Sequence, residues 1–563
     1  MSSMKGDIQR QKITKKDAAK DDFFGIDEQR SSAHWGLHVL ACVVCVIFAI
    51  WVWLLNPEDH LCPDQINIVT LQLAEEYPEN FARDPIFSGN AAHFYPYLYR
   101  VIIKKFIDKF GLVGGHRILQ FPLTIGYLVV MYFVLYALTR SVPASLIVTL
   151  FSSLWRDSMG ASYWGMDRLQ TVQPRSFVLV LLPLLLVMAW KYRQSWWFLV
   201  VFGVLGLLMN ISPPGALFFA IPLWIATLGE GRLTKQKLQL LAGAIAALII
   251  GAGPFIYSHI TARTEAVAAL SPQERQLFME ALQFRFSRMS SFPEPLGTVG
   301  TVILSFSPVL LLATAGWALR GQNRGPFDRW LLIFFLFTMI GFVVLQYVMQ
   351  EISASLDEAP PIANIHRGQK NAYLPLYIYA AVFLRYLFGQ LGRPERRILI
   401  AVAGVLVAVM PLVEFSRGKG NSGKRWENNV NDFSELMRGE KIETIGWRVI
   451  PVAQWARQNT PVDSLFLFGR YKEFRIYALR SIVGVSTDGG IAMYNGPRKM
   501  IQWYKTEKAL EQITAHYDAK GFAKLAKETG SDYIVLPAYV PAVPGWKPVY
   551  KDNYWTVYAP LQG

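Results

Sequence analysis

Long apolar runs separated by short polar connections cover most of the chain. They fall at 35–55, 117–138, 142–155, 177–190, 196–211, 215–228, 238–259, 298–319, 330–349, 372–387 and 398–415. A bilayer core takes about 20 helical residues per crossing, and a backbone inside it must pair its own N–H and C=O groups. The pattern therefore predicts a polytopic α-helical membrane protein of about eleven spans. One interruption breaks the rhythm. Residues 56–116 are polar and rich in acids, among them Asp59, Asp64, Asp84, Glu75, Glu76 and Glu79. Within this loop Ile66, Val69 and Leu73 share a helical face. So do Leu98, Ile102, Phe106 and Phe110, with Lys104, Lys105 and Lys109 on other faces. Such helices lie in the membrane interface, apolar side down, and would hold the intervening carboxylates near the headgroup plane.

After residue 415 the pattern changes. Short β-branched or aromatic runs at 464–468, 532–536 and 555–558 predict strands, and helical periodicity occurs at 450–458, 500–517 and 522–528. Three parts are expected: a tail at 1–34, a transmembrane domain at 35–415 with its large first loop at 56–116, and a small separate α/β domain at 416–563. That last part has no G-x-G-x-x-G, P-loop or G-x-S-x-G pattern, so no nucleotide or hydrolase chemistry is assigned to it.

Charge orients the chain. The net charge is +15, but no compact basic–aromatic motif points to nucleic acid. Basic residues instead mark alternate loops: Arg140; Lys191 and Arg193; Arg232, Lys235 and Lys237; Arg320, Arg324 and Arg329; Arg393, Arg396 and Arg397. By the positive-inside rule these loops are cytoplasmic. A bacterial inner membrane is the expected location, with the N-terminus inside and 416–563 outside. The first thirty or so polar residues read as a cytoplasmic tail rather than a cleavable leader. The three cysteines make no disulfide framework. Cys42 and Cys45 lie inside the first apolar run and read as buried thiols.

The chemistry-bearing residues gather in the loops assigned to the outer side. A carboxylate can deprotonate an acceptor hydroxyl or hold a divalent ion against a phosphate, which singles out Asp59, Asp64 and Asp84. Glu75, Glu76 and Glu79 read as a solvated helix face. His93 offers a further ligand for a pyrophosphate or a metal. Residues 156–176 bring Arg168 and Arg175 close to apolar runs, and His366 and Arg367 precede another run in the same way. Guanidinium groups there could hold a lipid-linked phosphate bidentately or snorkel to headgroups.

Several stretches then carry a resemblance. D-Q-I-N-I-V-T-L-Q-L-A-E-E-Y-P-E-N-F-A-R-D-P from Asp64 to Pro85 resembles the first outer loop of GT-C glycosyltransferase-like bacterial membrane proteins. Q-P-R-S-F at 173–177, I-H-R-G-Q-K-N-A-Y-L at 365–374 and W-A-R-Q-N-T-P-V-D-S-L-F-L-F at 455–468 look like later landmarks of the same family. The resemblance implies a GT-C-like membrane fold and an inverting enzyme that takes a sugar from a polyprenyl-phosphate carrier. It puts Asp64 in the catalytic place with Asp84 as a second acid, both possible ligands of a divalent cation (Mg or Mn). Arg175 and Arg367 would hold the carrier phosphate. The chain departs from the family in having Asp64-Gln65 where many members have two adjacent acids. The expected partners are a polyprenyl-phosphate-linked sugar, membrane lipids and an acceptor glycan, lipid or protein. Two alternatives stand beside this reading: a lipid or polysaccharide transporter or flippase, and a non-catalytic membrane scaffold.

Overall fold

The computed structural model describes residues 35–55, 61, 63–89, 97–154, 172–257, 270–286, 293–321, 324–355, 365–417, 434–435, 438–439, 448–469, 471–540 and 542–561. The helical part runs α1 (Trp35–Leu54), α2 (Pro63–Glu76), α3 (Tyr97–Phe110), α4 (Leu112–Thr139), α5 (Val142–Leu154), α6 (Pro174–Tyr192), α7 (Trp197–Met209), α8 (Pro213–Gly229) and α9 (Lys235–Gly251). It continues through α10 (Pro272–Phe286), α11 (Pro293–Arg320), α12 (Pro326–Leu336), α13 (Phe342–Ser355), α14 (Tyr373–Gln390) and α15 (Arg393–Arg417). A π-helical segment, Phe337–Gly341, joins α12 to α13, and a 3-10 helix, Ile365–Ala372, leads into α14. Proline opens α2, α6, α8, α10, α11 and α12, where its fixed φ suits the first turn and its missing N–H is not needed.

Each apolar run of the sequence is essentially helical over its described residues. Among the described residues five helices are long and apolar enough to cross a bilayer: Trp35–Leu54, Leu112–Thr139, Pro174–Tyr192, Pro326–Met349 and Arg367–Gln390. Val142–Leu154, Trp197–Met209, Pro213–Gly229 and Pro308–Arg320 are shorter apolar helices. The chain is thus a multi-pass helical membrane protein, and among the described residues five helices meet the length and hydropathy needed to cross alone. One continuous apolar core joins α1, α4, α5, α6, α7, α8, α12 and α14. Small residues let helices approach closely: a Cβ on Gly206 of α7 would collide with the Leu248 carbonyl of α9. Asn210 ties the same pair, its Nδ2 donating to the Gly251 carbonyl at 2.9 Å. Cys42 and Cys45 are free thiols on α1.

The C-terminal part runs α16 (Ile450–Asn459), β1 (Leu465–Leu467), α17 (Glu473–Ala478), β2 (Ser481–Val483), α18 (Gly489–Asn495), α19 (Pro497–Thr514), α20 (Ala519–Thr529), β3 (Tyr533–Pro537), β4 (Trp546–Lys551) and β5 (Trp555–Pro560). Its five-stranded sheet has the order β2-β1-β3-β5-β4. β1 is parallel to β2 and β3, with Leu465 opposite Ser481 and Phe466 opposite Tyr533. β5 is antiparallel to β3 and β4. Separate apolar clusters form around Leu467 and Ile534 and around Phe466 and Val535, as alternation along each strand requires.

This part packs against the first loop through two buried clusters. Leu71, Phe81, Ile86 and Phe87 of the first loop share one buried cluster with Phe278 and Leu282 of α10 and with Ile491, Met500, Trp503 and Tyr504 of α18 and α19. A second cluster joins Ile66 and Val69 of α2, Leu112 at the start of α4 and Ile476 of α17. The first loop is therefore packed between the C-terminal part and the end of the bundle where α4 begins.

Candidate functional site

Residues 65–71 of α2 are buried although several are polar. Gln65, Asn67 and Thr70 alternate there with Ile66, Ile68, Val69 and Leu71, all buried. Buried amides need partners, and the partners come from two directions. Gln65 Nε2 donates to the Val172 carbonyl at 2.9 Å, two residues before α6. Asn67 Oδ1 accepts from Lys472 Nζ at 3.1 Å, at the residue preceding α17. At about 100° per residue, helical position 64 falls on the arc between positions 65 and 67. Asp64 is thus placed in the first turn of a helix gripped on one flank by the membrane bundle and on the other by the C-terminal part.

Arg175 follows closely on the segment that Gln65 contacts. It lies in the first turn of α6, three residues after Val172, half-buried, with Nε donating to Gln173 Oε1 at 2.5 Å. Gln173 N–H in turn donates to Ser176 Oγ at 3.3 Å, fixing the start of the helix. The far end of α2 behaves differently. Glu75 and Glu76 are exposed and pair with Arg100 at 2.6 Å and Lys104 at 3.4 Å on α3, as a solvated face would. Lys104 is held above its usual range: burial acts against this, but the charges of Asp108 and Glu76 outweigh it. Gln72 Nε2 donates to the Arg100 carbonyl at 2.8 Å, so α2 and α3 are braced together.

Asp84 is a correction. The sequence offered it as a second catalytic acid or metal ligand, yet its side chain is 0% exposed and its oxygens are engaged. Oδ1 accepts the N–H groups of Ile86 and Phe87, both at 3.0 Å. Oδ2 accepts Ile482 N–H at 3.1 Å and Arg475 Nε at 2.7 Å. Arg475 is itself buried, and its Nη2 lies 2.7 Å from Asp488 Oδ2. Burial alone would weaken the guanidinium, but Asp488 and Asp84 outweigh it and raise its pKa. Burial raises the Asp488 carboxyl, with Arg475 opposing. A carboxylate so occupied cannot serve as a free base, and its role is to fasten the loop to α17 and β2. Neighbouring contacts do the same: Asn80 Nδ2 to the Leu479 carbonyl at 2.9 Å, Ser481 Oγ to the Asn80 carbonyl at 3.1 Å, and Lys499 Nζ to the Ile86 carbonyl at 2.9 Å.

Arg367 lies on a different element from α2. It is exposed on the 3-10 helix 365–372, which packs against α8, α12, α13, α14 and the π-helical segment. Gln369 Nε2 donates to the Met339 carbonyl and Asn371 Nδ2 to the Phe218 carbonyl, both at 2.9 Å. Asp59, His93 and Arg168 lie outside the described residues, and so does the Asp64 side chain. Among the described residues no group of three His, Cys, Asp or Glu side chains could hold a metal ion.

Sequence reasoning missed Lys472, Glu473, Arg475 and Asp488. Burial pushes the Glu473 carboxyl above its usual range, with the neighbouring Lys472 opposing. Nothing local marks these four, because Arg475 and Asp84 are 391 residues apart.

No family profile and no curated protein sequence matches the chain. Among solved structures, the chain is similar to ArnT from Cupriavidus metallidurans bound to undecaprenyl phosphate, at 14% identity and a TM-score of 0.48, covering 94% of this chain and 98% of that one. It is similar to the apo state of the same protein at 13% identity and a TM-score of 0.48, with the same shares covered.

Proposed function

We propose that the chain is a membrane glycosyltransferase that moves a sugar from a polyprenyl-phosphate carrier to an acceptor at the outer face of a bacterial inner membrane. The observation that carries this reading is the Gln65–Val172 hydrogen bond, which brings the helix bearing Asp64 against the segment bearing Arg175. One carboxylate and one guanidinium at the end of a membrane bundle are the minimum for an inverting displacement. The Asp64 carboxylate takes the proton of an acceptor hydroxyl while that oxygen bonds to C1 of the sugar. The C1–O bond to phosphate breaks with its electron pair, and the phosphate leaves as an anion that Arg175 stabilises. The amphipathic α3, with Lys104, Lys105 and Lys109, would hold the site at headgroup depth. The sugar and the acceptor are not specified by these residues.

The test is transfer from a panel of polyprenyl-phosphate sugars in membranes. Asp64→Asn should lose about 10²–10⁴ in rate, the usual worth of general-base help. Glu76→Gln should leave transfer unchanged. Near-wild-type transfer by Asp64→Asn removes Asp64 as catalyst. No transfer by the wild type from any donor would favour the transporter and scaffold readings.

A further inference from the structure

We infer that Lys472, a residue of the C-terminal part, is a positioning residue for the site on α2, acting through Asn67. The inference rests on the reading of Asp64 as the base.

Lys472 is 4% exposed, an unusual place for an ammonium group, since lysine is almost never fully buried without a partner. Its Nζ donates to Asn67 Oδ1 at 3.1 Å across 405 residues of sequence. Asn67 is itself buried and stands three residues after Asp64, so the two positions are neighbours on the helix. One turn further along, within α17, Arg475 is locked between Asp84 and Asp488 at 2.7 Å each. Ile476 packs with Ile66 and Val69 of α2. A rigid line therefore runs from β2 through Asp84 and Arg475 to α17, and from Lys472 through Asn67 to the first turns of α2. The opposite flank is set by Gln65 and Val172 at 2.9 Å. Two independent hydrogen bonds, one from each half of the protein, thus define the axial and rotational setting of the turn that carries Asp64. A general base works only within hydrogen-bond reach of the proton it takes, and a displacement of about 1 Å can cost about 10²-fold in rate. Releasing one clamp while the other holds would move the base without removing it.

The experiment compares Lys472→Met, Lys472→Arg and Asn67→Ala in the full-length protein, with Lys524→Met on the exposed face of α20 as control. Sugar transfer is measured as kcat and donor KM per folded protein, together with thermal stability. The expected result is a kcat at least about tenfold lower for Lys472→Met, with donor KM within about threefold, recovery by Lys472→Arg, and no change for Lys524→Met. Asn67→Ala should give the same loss from the other partner, and it decides the matter if Lys472→Met does not accumulate. Wild-type kcat with only a lowered melting temperature would make the contact merely structural and overturn the inference. A raised KM with unchanged kcat would make Lys472 a donor ligand and overturn it equally. If the wild type transfers no sugar, or Asp64→Asn transfers normally, the reading of Asp64 has failed. If Asp64→Asn is inactive and Lys472→Met is normal, only the inference has failed.

Discussion

Replacing Arg475 by methionine tests how the first loop is held. Methionine keeps the length of the stem over the Phe87 ring, against which the guanidinium carbon sits 4.7 Å from the centroid. It removes the donors to Asp84 at 2.7 and 3.3 Å, to the Ile482 carbonyl at 3.0 Å and to Asp488 at 2.7 Å. Two carboxylates then share a buried site with no guanidinium between them. Removing one partner of a buried pair costs about 3–5 kcal/mol, because the remaining charge is left uncompensated. Asp84 still keeps three backbone N–H donors, whereas Asp488 loses its cation. Asp488→Asn should behave differently. It leaves the Asp84–Arg475 pair one to one and removes the acid whose ionisation is already disfavoured by burial, so its cost should stay within about 1 kcal/mol. The assay is thermal melting of detergent-solubilised protein followed by tryptophan fluorescence. For a unit of this size each kcal/mol moves Tm by about 2–4 °C, so Arg475→Met should fall by about 10 °C and Asp488→Asn by a few degrees. Equal losses in the two variants would refute the view that Arg475 is the keystone of the triad.

Glu507 on α19 has its carboxyl pushed up to about 7 by burial, then by the charges of Glu511 and Asp488, with Arg285 opposing. The folded state therefore binds a proton that the unfolded state releases near pH 4.5. This term favours folding at low pH and fades as pH rises from about 4.5 to about 7, by about 1 kcal/mol once solvent screening is allowed for. Glu507→Gln should flatten that part of the stability–pH curve, and a variant keeping the wild-type slope would refute the assignment. For topology, reporter fusions after Gly229 and after Ser416 should report opposite compartments, and a shared compartment would remove the outer-face assignment.

The apolar segments were legible because each is a long run without helix-breaking polar clusters, and their described residues are essentially helical. Strands β1, β3 and β5 announce themselves by aromatic and β-branched residues. β2 does not, because Ser481–Val483 lies between Arg480 and Gly484 with only two apolar residues, and it follows Leu479, whose left-handed backbone (φ 48°) turns the chain out of α17. β4 contains Pro548 and two lysines, which argue against a strand interior. It is an edge strand paired only to β5, with a register shift between Pro548 and Tyr550, where proline is tolerated. The failure at Asp84 has the same origin as the missed Lys472 and Arg475. An acid in a polar loop reads as solvated unless a cation is nearby in sequence, and here the cation belongs to a segment hundreds of residues away.

The Asp64-Gln65 pair shows where sequence and structure inform each other. Many members of the resembling family have a second acid where this chain has Gln65. In the fold it has a task that an ionised acid cannot perform. Its Nε2 donates to the Val172 carbonyl in a buried setting, whereas a carboxylate only accepts and would face that carbonyl oxygen with like partial charge. The position next to Asp64 is therefore used to dock α2 on the start of α6 rather than to add a second negative charge. Lys472, reaching Asn67 from the C-terminal part, takes the other flank. With one clamp drawn from each half of the chain, the setting of Asp64 depends on the docking of the two halves, and it is this dependence that the kcat of the Lys472 and Asn67 variants measures.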